Sequence, residues 1–174
     1  ADLSNTSFRN ANIDGARFVF ANLGNSNLLD RTDLSNVNLA GVDLSNVSLK
    51  GKNLSGTNLS FIDLSEHDLT GTNLIGVNLS HTKVSNVSLK GKDLSGANLS
   101  FVDLSEHDLT GTILTKANLS NSNPVGVDLS GKNLSGTILS FVDLSEHDLT
   151  GTNLSDTVLF RSNFSGMDLR AIPL

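Results

Sequence analysis

The sequence predicts an all-β solenoid, a chain wound into stacked coils around one continuous core. Three observations carry this reading. An apolar residue returns every five positions, turn-forming residues fill most of the others, and a longer repeat of 40 residues overlies the short one. From Leu3 the short series runs Leu3, Phe8, Ile13, Phe18, Leu23, Leu28. One extra residue then enters within 29–33, and from Leu34 the series continues unbroken to Leu174. Of these 35 central positions 29 are Leu, and the exceptions, Phe8, Ile13, Phe18, Val84, Pro124 and Phe164, are also apolar. Residues 1–174 therefore read as a single repeat domain with a one-residue phase shift at 29–33.

A period of five fits neither regular element. A helix wants 3.6 and a strand wants 2, so leucines five apart would wander around a helix and flip faces along a strand. Gly, Asn, Asp, Ser and Thr between them close turns. The chain must turn every five residues and point one large apolar side chain inward each time. Hydrophobic content is only 37%, which in an unpatterned chain would argue for disorder. Here the apolar residues are strictly phased, and the pattern argues for a packed core instead.

Segments such as Thr57-Asn58-Leu59-Ser60-Phe61 and Ala97-Asn98-Leu99-Ser100-Phe101 carry the pattern A-(D/N)-L-x-x along the whole chain, and the sequence resembles the pentapeptide-repeat family. The resemblance implies a right-handed quadrilateral parallel β-helix with four pentapeptides per coil. The central residue and the residue two before it would line its interior. The 40-residue repeat agrees, as two coils. Lys52-Asn53-Leu54-Ser55-Gly56 recurs from Lys92 (with Asp93) and from Lys132, and Asp63-Leu64-Ser65-Glu66-His67-Asp68-Leu69-Thr70-Gly71-Thr72 recurs unchanged from Asp103 and Asp143. At about 4.8 Å per stacked strand, about nine coils make a rod roughly 42 Å long. The extra residue should bulge at one corner without breaking the stack. Pro124 is tolerable where the lost N–H had no ladder partner.

Composition bounds function. A net charge of −6 argues against direct nucleic-acid binding. The absence of cysteine excludes disulfide and thiol chemistry. No stretch approaches the ~18–20 apolar residues of a membrane span. No signal-peptide pattern opens the chain, so cytoplasm is the default expectation. The start at Ala1, already in repeat phase, fits a processed chain or a piece of a longer one.

Ser65-Glu66-His67-Asp68 contains the letters of a hydrolase triad, but adjacent side chains cannot form the relay that a triad needs, and the motif occurs three times. The reading is non-enzymatic, with no cofactor. His67, His107 and His147 lie two coils apart, about 10 Å, too far to share a zinc ion whose ligands sit about 2.0–2.3 Å away. They read as polar corner residues. Lys52, Lys92 and Lys132 stand at the same normally inward position. A buried unpaired ammonium is costly, so these side chains are expected to snorkel outward.

Phe61, Phe101 and Phe141 fall two residues after the central one, where the family side chain points outward. They would form a column at ~10 Å spacing, with His81 and Asn121 on the coils between. An exposed aromatic row suggests a contact surface, unless each ring merely covers its neighbours. Twelve of the 18 acids group on two adjacent faces: Asp43, Asp63, Glu66, Asp68, Asp103, Glu106, Asp108, Asp128, Asp143, Glu146, Asp148 and Asp168. Such a stripe also serves solubility.

The leading expectation is an interaction scaffold that displays the Phe column and acidic stripe to a protein partner. The resemblance implies an alternative, a DNA mimic that binds a type II topoisomerase, as in quinolone resistance. Such mimics resemble one another in a C-terminal helical dimerisation module; the tail Arg170-Ala171-Ile172-Pro173-Leu174 stays in repeat phase, so that dimer contact is missing or lies outside the chain. A third reading is a structural spacer of a longer protein such as an effector. Coil ends without an obvious polar cap imply more chain, end-to-end self-association or unusual terminal turns.

Overall fold

The computed structural model describes residues 1–167. Leu169 and Leu174, Asp168 and the tail from Arg170 to Leu174 lie outside the described residues. Backbone pairing is parallel and rises one coil every 20 residues: Asn38 pairs with Asn58, Asn58 with Asn78, Asn78 with Asn98, Asn98 with Asn118. Sides of five residues and a rise of 20 leave four sides per coil, a quadrilateral β-helix, and parallel strands joined by crossovers take the right-handed path. Side one carries Leu34, Leu54 and their stacked equivalents, side two Leu39 and Leu59, side three Leu44 and Leu64, and side four Leu49 and Leu69.

Each side ends in a turn. The central carbonyl accepts the N–H three residues on, as from Val47 to Leu44 at 2.8 Å and from Ala97 to Leu94 at 2.9 Å. At many corners the third residue of the turn takes a positive φ, as at Asn36 (60°) and Gly51 (69°), the geometry of a type II turn. The Asx residue before the central one fixes the turn from outside. Its Oδ1 accepts the N–H two residues on, Ser60 N to Asn58 at 3.0 Å and Ser65 N to Asp63 at 3.0 Å. Side-chain amides tie one coil to the next, as from Asn73 to Asn53 at 3.1 Å.

The central leucines form one continuous core, with Leu54, Leu59, Leu64 and Leu94 wholly buried. Each contributes about 1.5–3 kcal/mol by leaving water. At Pro124 the smaller ring leaves an apolar void of about 10 Å³ against Leu104, Leu129 and Leu139.

At the inward position two before the central residue, many polar groups donate to the central carbonyl of the coil below, which already accepts a turn N–H and has a second lone pair free. Thr137 donates instead to Leu134 O of its own coil at 2.7 Å, and the buried Ser26 and Ser122 hydroxyls have no partner among the described residues. Thr57 reaches Leu34 O at 2.6 Å, Thr72 reaches Leu49 O at 2.8 Å, and Thr112 reaches Leu89 O at 2.8 Å. All three lysines turn inward, and Lys92 and Lys132 find the same acceptor, which corrects the expectation that they snorkel outward. Lys92 Nζ donates to Leu69 O at 2.6 Å and Lys132 Nζ to Leu109 O at 2.9 Å. Lys52, 8% exposed, donates to Leu29 O at 2.9 Å and Arg31 O at 2.8 Å. Burial pushes its ammonium below the usual lysine range, with Asp30 opposing. Carbonyl oxygens thus take the place of water around each cation.

The histidines are likewise not plain corner residues. They are half-buried and point inward, with His67 Nε2 at 3.0 Å from Leu44 O and His107 Nε2 at 3.1 Å from Val84 O. His147 instead sets Nδ1 at 3.2 Å from Val127 O.

These bulky inward groups shape the ladder. Side two pairs without interruption from Arg17↔Asn38 to Ile138↔Val158. From Asp43 upward, side three pairs only on alternate coils, at Asp63↔Lys83, Asp103↔Asn123 and Asp143↔Asn163. The coil steps that go unpaired are those into which His67, His107 and His147 insert. Side one likewise lacks the pairs just below Lys92 and Lys132. On side three, Leu64, Leu104 and Leu144 donate to the coil above, whereas Leu44 and Val84 make no such bond. Pro124 belongs to the Leu44 and Val84 series, where the missing N–H has no backbone acceptor in register.

Near the phase shift the register rises to 21 residues at Arg17↔Asn38. Arg31 turns inward there, and its Nη1 donates to Ala11 O at 2.9 Å and Phe8 O at 3.4 Å.

If the imidazole opens the ladder, His107→Val should close it, because Val87 and Val127 occupy the same column below and above. Val84 O keeps its turn bond from Val87 N. The expected outcome is greater hydrogen-exchange protection at the Val84 amide and a gain of about 1 kcal/mol in urea unfolding. Unchanged protection at Val84 would place the cause elsewhere.

Candidate functional site

The corner between sides two and three carries an aromatic seam. Its column runs Phe20, Gly41, Phe61, His81, Phe101, Asn121, Phe141, Arg161, one residue per coil. All eight have φ between 50° and 64°. The backbone beneath is tied at every step from Phe20 N to Ala40 O (2.8 Å) up to Phe141 N to Phe160 O (3.0 Å). The left-handed conformation throws each side chain outward. Phe61 is 59% exposed, Phe101 52% and Phe141 47%.

The rings stack along the rod axis. His81 lies between Phe61 and Phe101, with centroids 4.8 and 4.5 Å apart and planes within 6° and 10° of parallel. At the far end Phe160 meets Phe141 edge-on at 5.5 Å. The Arg161 guanidinium lies 5.9 Å from the Phe141 centroid and 5.4 Å from that of Phe160. At the near end the Phe20 ring lies over Gly41, filling the space where a Cβ would stand. The sequence reading placed Phe61, Phe101 and Phe141 in this column but did not include Phe20, Phe160 or Arg161. Arg161 was legible as the residue one coil above Phe141. Phe20 was hidden by the phase shift, and Phe160 by its place one residue earlier in the turn.

The acids flank the seam in three exposed columns. Asp63, Asp103 and Asp143 come first, then Glu66, Glu106 and Glu146 at the next corner, then Asp68, Asp108 and Asp148 on side four. The aspartates are committed to the fold through one oxygen. Asp103 Oδ1 accepts from Ser105 N at 3.0 Å and Asn123 Nδ2 at 2.9 Å, and Asp148 Oδ1 accepts from Thr150 N at 2.8 Å. Some are also neutralised, by Lys83–Asp63 at 3.2 Å, Lys50–Asp68 at 3.1 Å and Lys90–Asp108 at 2.8 Å. The three glutamate side chains make no hydrogen bond or ion pair among the described residues. Shallow grooves open where the histidines interrupt the ladder, one lined by Asp103, Glu106, His107 and Asp108, another by Asp143, Glu146, His147 and Asp148. Among the described residues no three His, Asp or Glu side chains converge as a metal-holding set. No helix is long and apolar enough to cross a membrane.

The turn bonds set the acidity of this surface. Bonds from Ser65, with Lys83, hold Asp63 down to about 2, and bonds from Thr70, with Lys50, do the same for Asp68. Asp108 is held well below the usual carboxylate range by Lys90 first and then Thr110. A carboxylate near 3.9 when unfolded and lower when folded adds stability above the unfolded value and loses it as pH falls through the folded one. Urea midpoints should therefore stay level from pH 6 to about 5 and drop as pH falls from about 4 to 2. An unchanged midpoint at pH 2.5 would show that the turn carboxylates do not support the fold.

Comparison with known proteins agrees with this geometry. The pentapeptide-repeat family model matches in 8 copies, over residues 1–28, 29–51, 53–91, 93–131, 125–156 and 138–171. Similar solved structures include QnrB1, a plasmid-mediated fluoroquinolone resistance protein, at 16% identity and a TM-score of 0.49, covering 99% of this chain and 88% of that one. Another is Rfr23, from the cyanobacterium Cyanothece 51142, at 30% identity and a TM-score of 0.40, covering 63% and 88%. HetL of Nostoc sp. strain PCC 7120, involved in heterocyst differentiation regulation, is 24% identical with a TM-score of 0.31, covering 95% and 85%. No curated protein matches the chain. With the repeat matched along nearly its whole length and four pentapeptides turning each coil, the chain belongs to the pentapeptide-repeat family.

Proposed function

We propose that the chain is a non-enzymatic interaction module that presents the aromatic seam, beside the acidic stripe, to a protein partner. The observation that carries this reading is the backbone of the seam. Phe61, His81, Phe101 and Phe141 hold φ of 63°, 57°, 61° and 62°, a region that costs an L residue about 1–2 kcal/mol. Gly41 and Asn121 show that the same column accepts residues that enter this region easily. Rings left about half exposed recover only part of the strain through burial, and a ring–ring contact returns about 0.5–1.5 kcal/mol. The fold has no need of phenylalanine at these corners. Exposed aromatics held in a strained backbone fit a surface that another molecule covers.

Charge supports a partner that engages the rings more than one that expects DNA. A duplex presents one charge per ~1.7 Å, about 25 over this length. The stripe has 12 acids by sequence, and Lys50, Lys83 and Lys90 pair with three of them.

The triple variant Phe61→Asn, Phe101→Asn, Phe141→Asn tests the proposal, because Asn121 already takes this column's backbone conformation. It should keep the wild-type circular dichroism and thermal midpoint, and lose proteins that the immobilised wild-type chain retains, by tenfold or more. Equal retention by both chains would make the seam a structural trim. A parallel supercoiling assay on a type II topoisomerase, with and without quinolone, should show no effect. Inhibition or drug protection at micromolar protein would put DNA mimicry first.

A further inference from the structure

The aromatic seam changes character at one coil. The coil at 81–83 places His81 between two phenylalanine rings and sends Lys83 Nζ to Asp63 Oδ2 at 3.2 Å in the neighbouring acid column. One planar group and one cation thus complete that coil. Two coils on, at 121–123, the same two places hold Asn121 and Asn123. Below Asn121 lies Phe101, whose lower face is taken by His81. Above it lies Phe141, with Arg161 on its outer side. Two coil steps separate Phe101 from Phe141, about 9.6 Å, the same interval that His81 fills between Phe61 and Phe101.

Asn121 is exposed, and its side chain makes no hydrogen bond among the described residues. Beside it, Asp103 and Asp143 each commit Oδ1 to the fold, to Ser105 N and Ser145 N and to the amides of Asn123 and Asn163. Their Oδ2 atoms are the counterparts of the Asp63 oxygen that holds Lys83.

The geometry points to an arginine-accepting slot at Asn121, in which a guanidinium from a partner protein lies between Phe101 and Phe141 and pairs with Asp103 or Asp143. This rests on the reading of the seam as a contact surface and names the chemistry of what covers it. One arginine supplies in trans both things that His81 and Lys83 supply within the chain, a flat π-stacking group and a positive charge. Arginine suits the place better than lysine, since its planar fork stacks on aromatic faces and bonds carboxylates in pairs. The rod shows the preference itself, because the one guanidinium in the seam, Arg161, lies against Phe141 and Phe160. The rod also fills a gap of this kind with its own ring where one is within reach, as Phe20 does over Gly41.

The probe is a capped glycine–arginine–glycine peptide, with its lysine counterpart as control, followed by proton NMR on the full chain. The arginine δ-methylene protons should move upfield, as only protons seated against ring faces do, with millimolar affinity. The lysine peptide should bind at least several-fold more weakly. The double variant Asn121→His with Asn123→Lys copies the 81–83 coil into the slot. It should fold, since His81 and Asn121 share a φ of 57°, and it should abolish the upfield shift. No shift with the wild-type chain, or an equal shift with the double variant, overturns the slot. The two readings separate cleanly. Partner proteins lost by the triple Phe variant but kept by the double variant would leave the seam reading standing and the slot reading wrong. Partners kept by both variants would sink both readings.

Discussion

Everything in this rod depends on the register of its backbone ladder. Because each coil returns after 20 residues, the neighbours of any side chain are the residues one coil before and one coil after. The chain is therefore a set of vertical columns, and each column must be compatible with itself. The leucine columns satisfy this by apolar packing, and the Asx columns by amide-to-carboxylate bonds such as Asn53 to Asp33 at 3.1 Å. The seam column does so by stacking ring on ring.

The same constraint explains the two-coil repeat. A Lys or His at the inward position occupies the room of its own layer and part of the one below. Its column neighbours must then be small. Lys52, Thr72, Lys92, Thr112, Lys132 and Thr152 alternate on side one, as do Val47, His67, Val87, His107, Val127 and His147 on side four. Thr72, Thr112, Thr152, Lys92, Lys132, His67 and His107 each reach a central carbonyl of the coil below, whereas Lys52 reaches Leu29 O and Arg31 O, His147 reaches Val127 O, and the valines only pack. What varies is the ladder pair just below, which is kept at Thr72, Thr112 and Thr152 and lost at Lys92, Lys132, His67, His107 and His147, while Lys52 keeps Asp33↔Asn53.

The fold was legible because a period of five with leucine at its centre has few structural solutions. The lysines and histidines were not. Their burial depends on a carbonyl 23 residues back, as for Lys92 and Leu69, and on a lone pair that backbone periodicity does not reveal. A general rule about buried charge then pointed the wrong way, since it priced the ammonium as unpaired. The seam was partly legible. Its column followed from coil arithmetic, but the parallel stack of Phe61, His81 and Phe101 needed a shared left-handed backbone that sequence spacing does not report. The phase shift broke the arithmetic at Phe20.

The place of the seam in the ladder bears on what it can do. Among the described residues side four shows no bridge pairs, and sides one and three pair intermittently; side two alone pairs at every step along the column from Arg17 to Val158. The seam rises from the end of side two, on a corner where every coil is bonded to the next. A ring displayed there is held at its root, so little backbone freedom remains to be lost on contact. Binding that must order loops gives up much of its gross interaction energy, and a pre-ordered row avoids that loss. The corner between sides three and four, opened by the histidines and tied coil to coil among the described residues only by Asn5 N to Gly24 O at 2.8 Å and Glu106 N to Val125 O at 2.9 Å, lacks that support. Of the two surfaces that the sequence marks, the aromatic one thus rests on the more fully bonded backbone, which suits the contact proposed for it. The acids beside it are better placed to orient an approaching cation than to hold a partner by themselves.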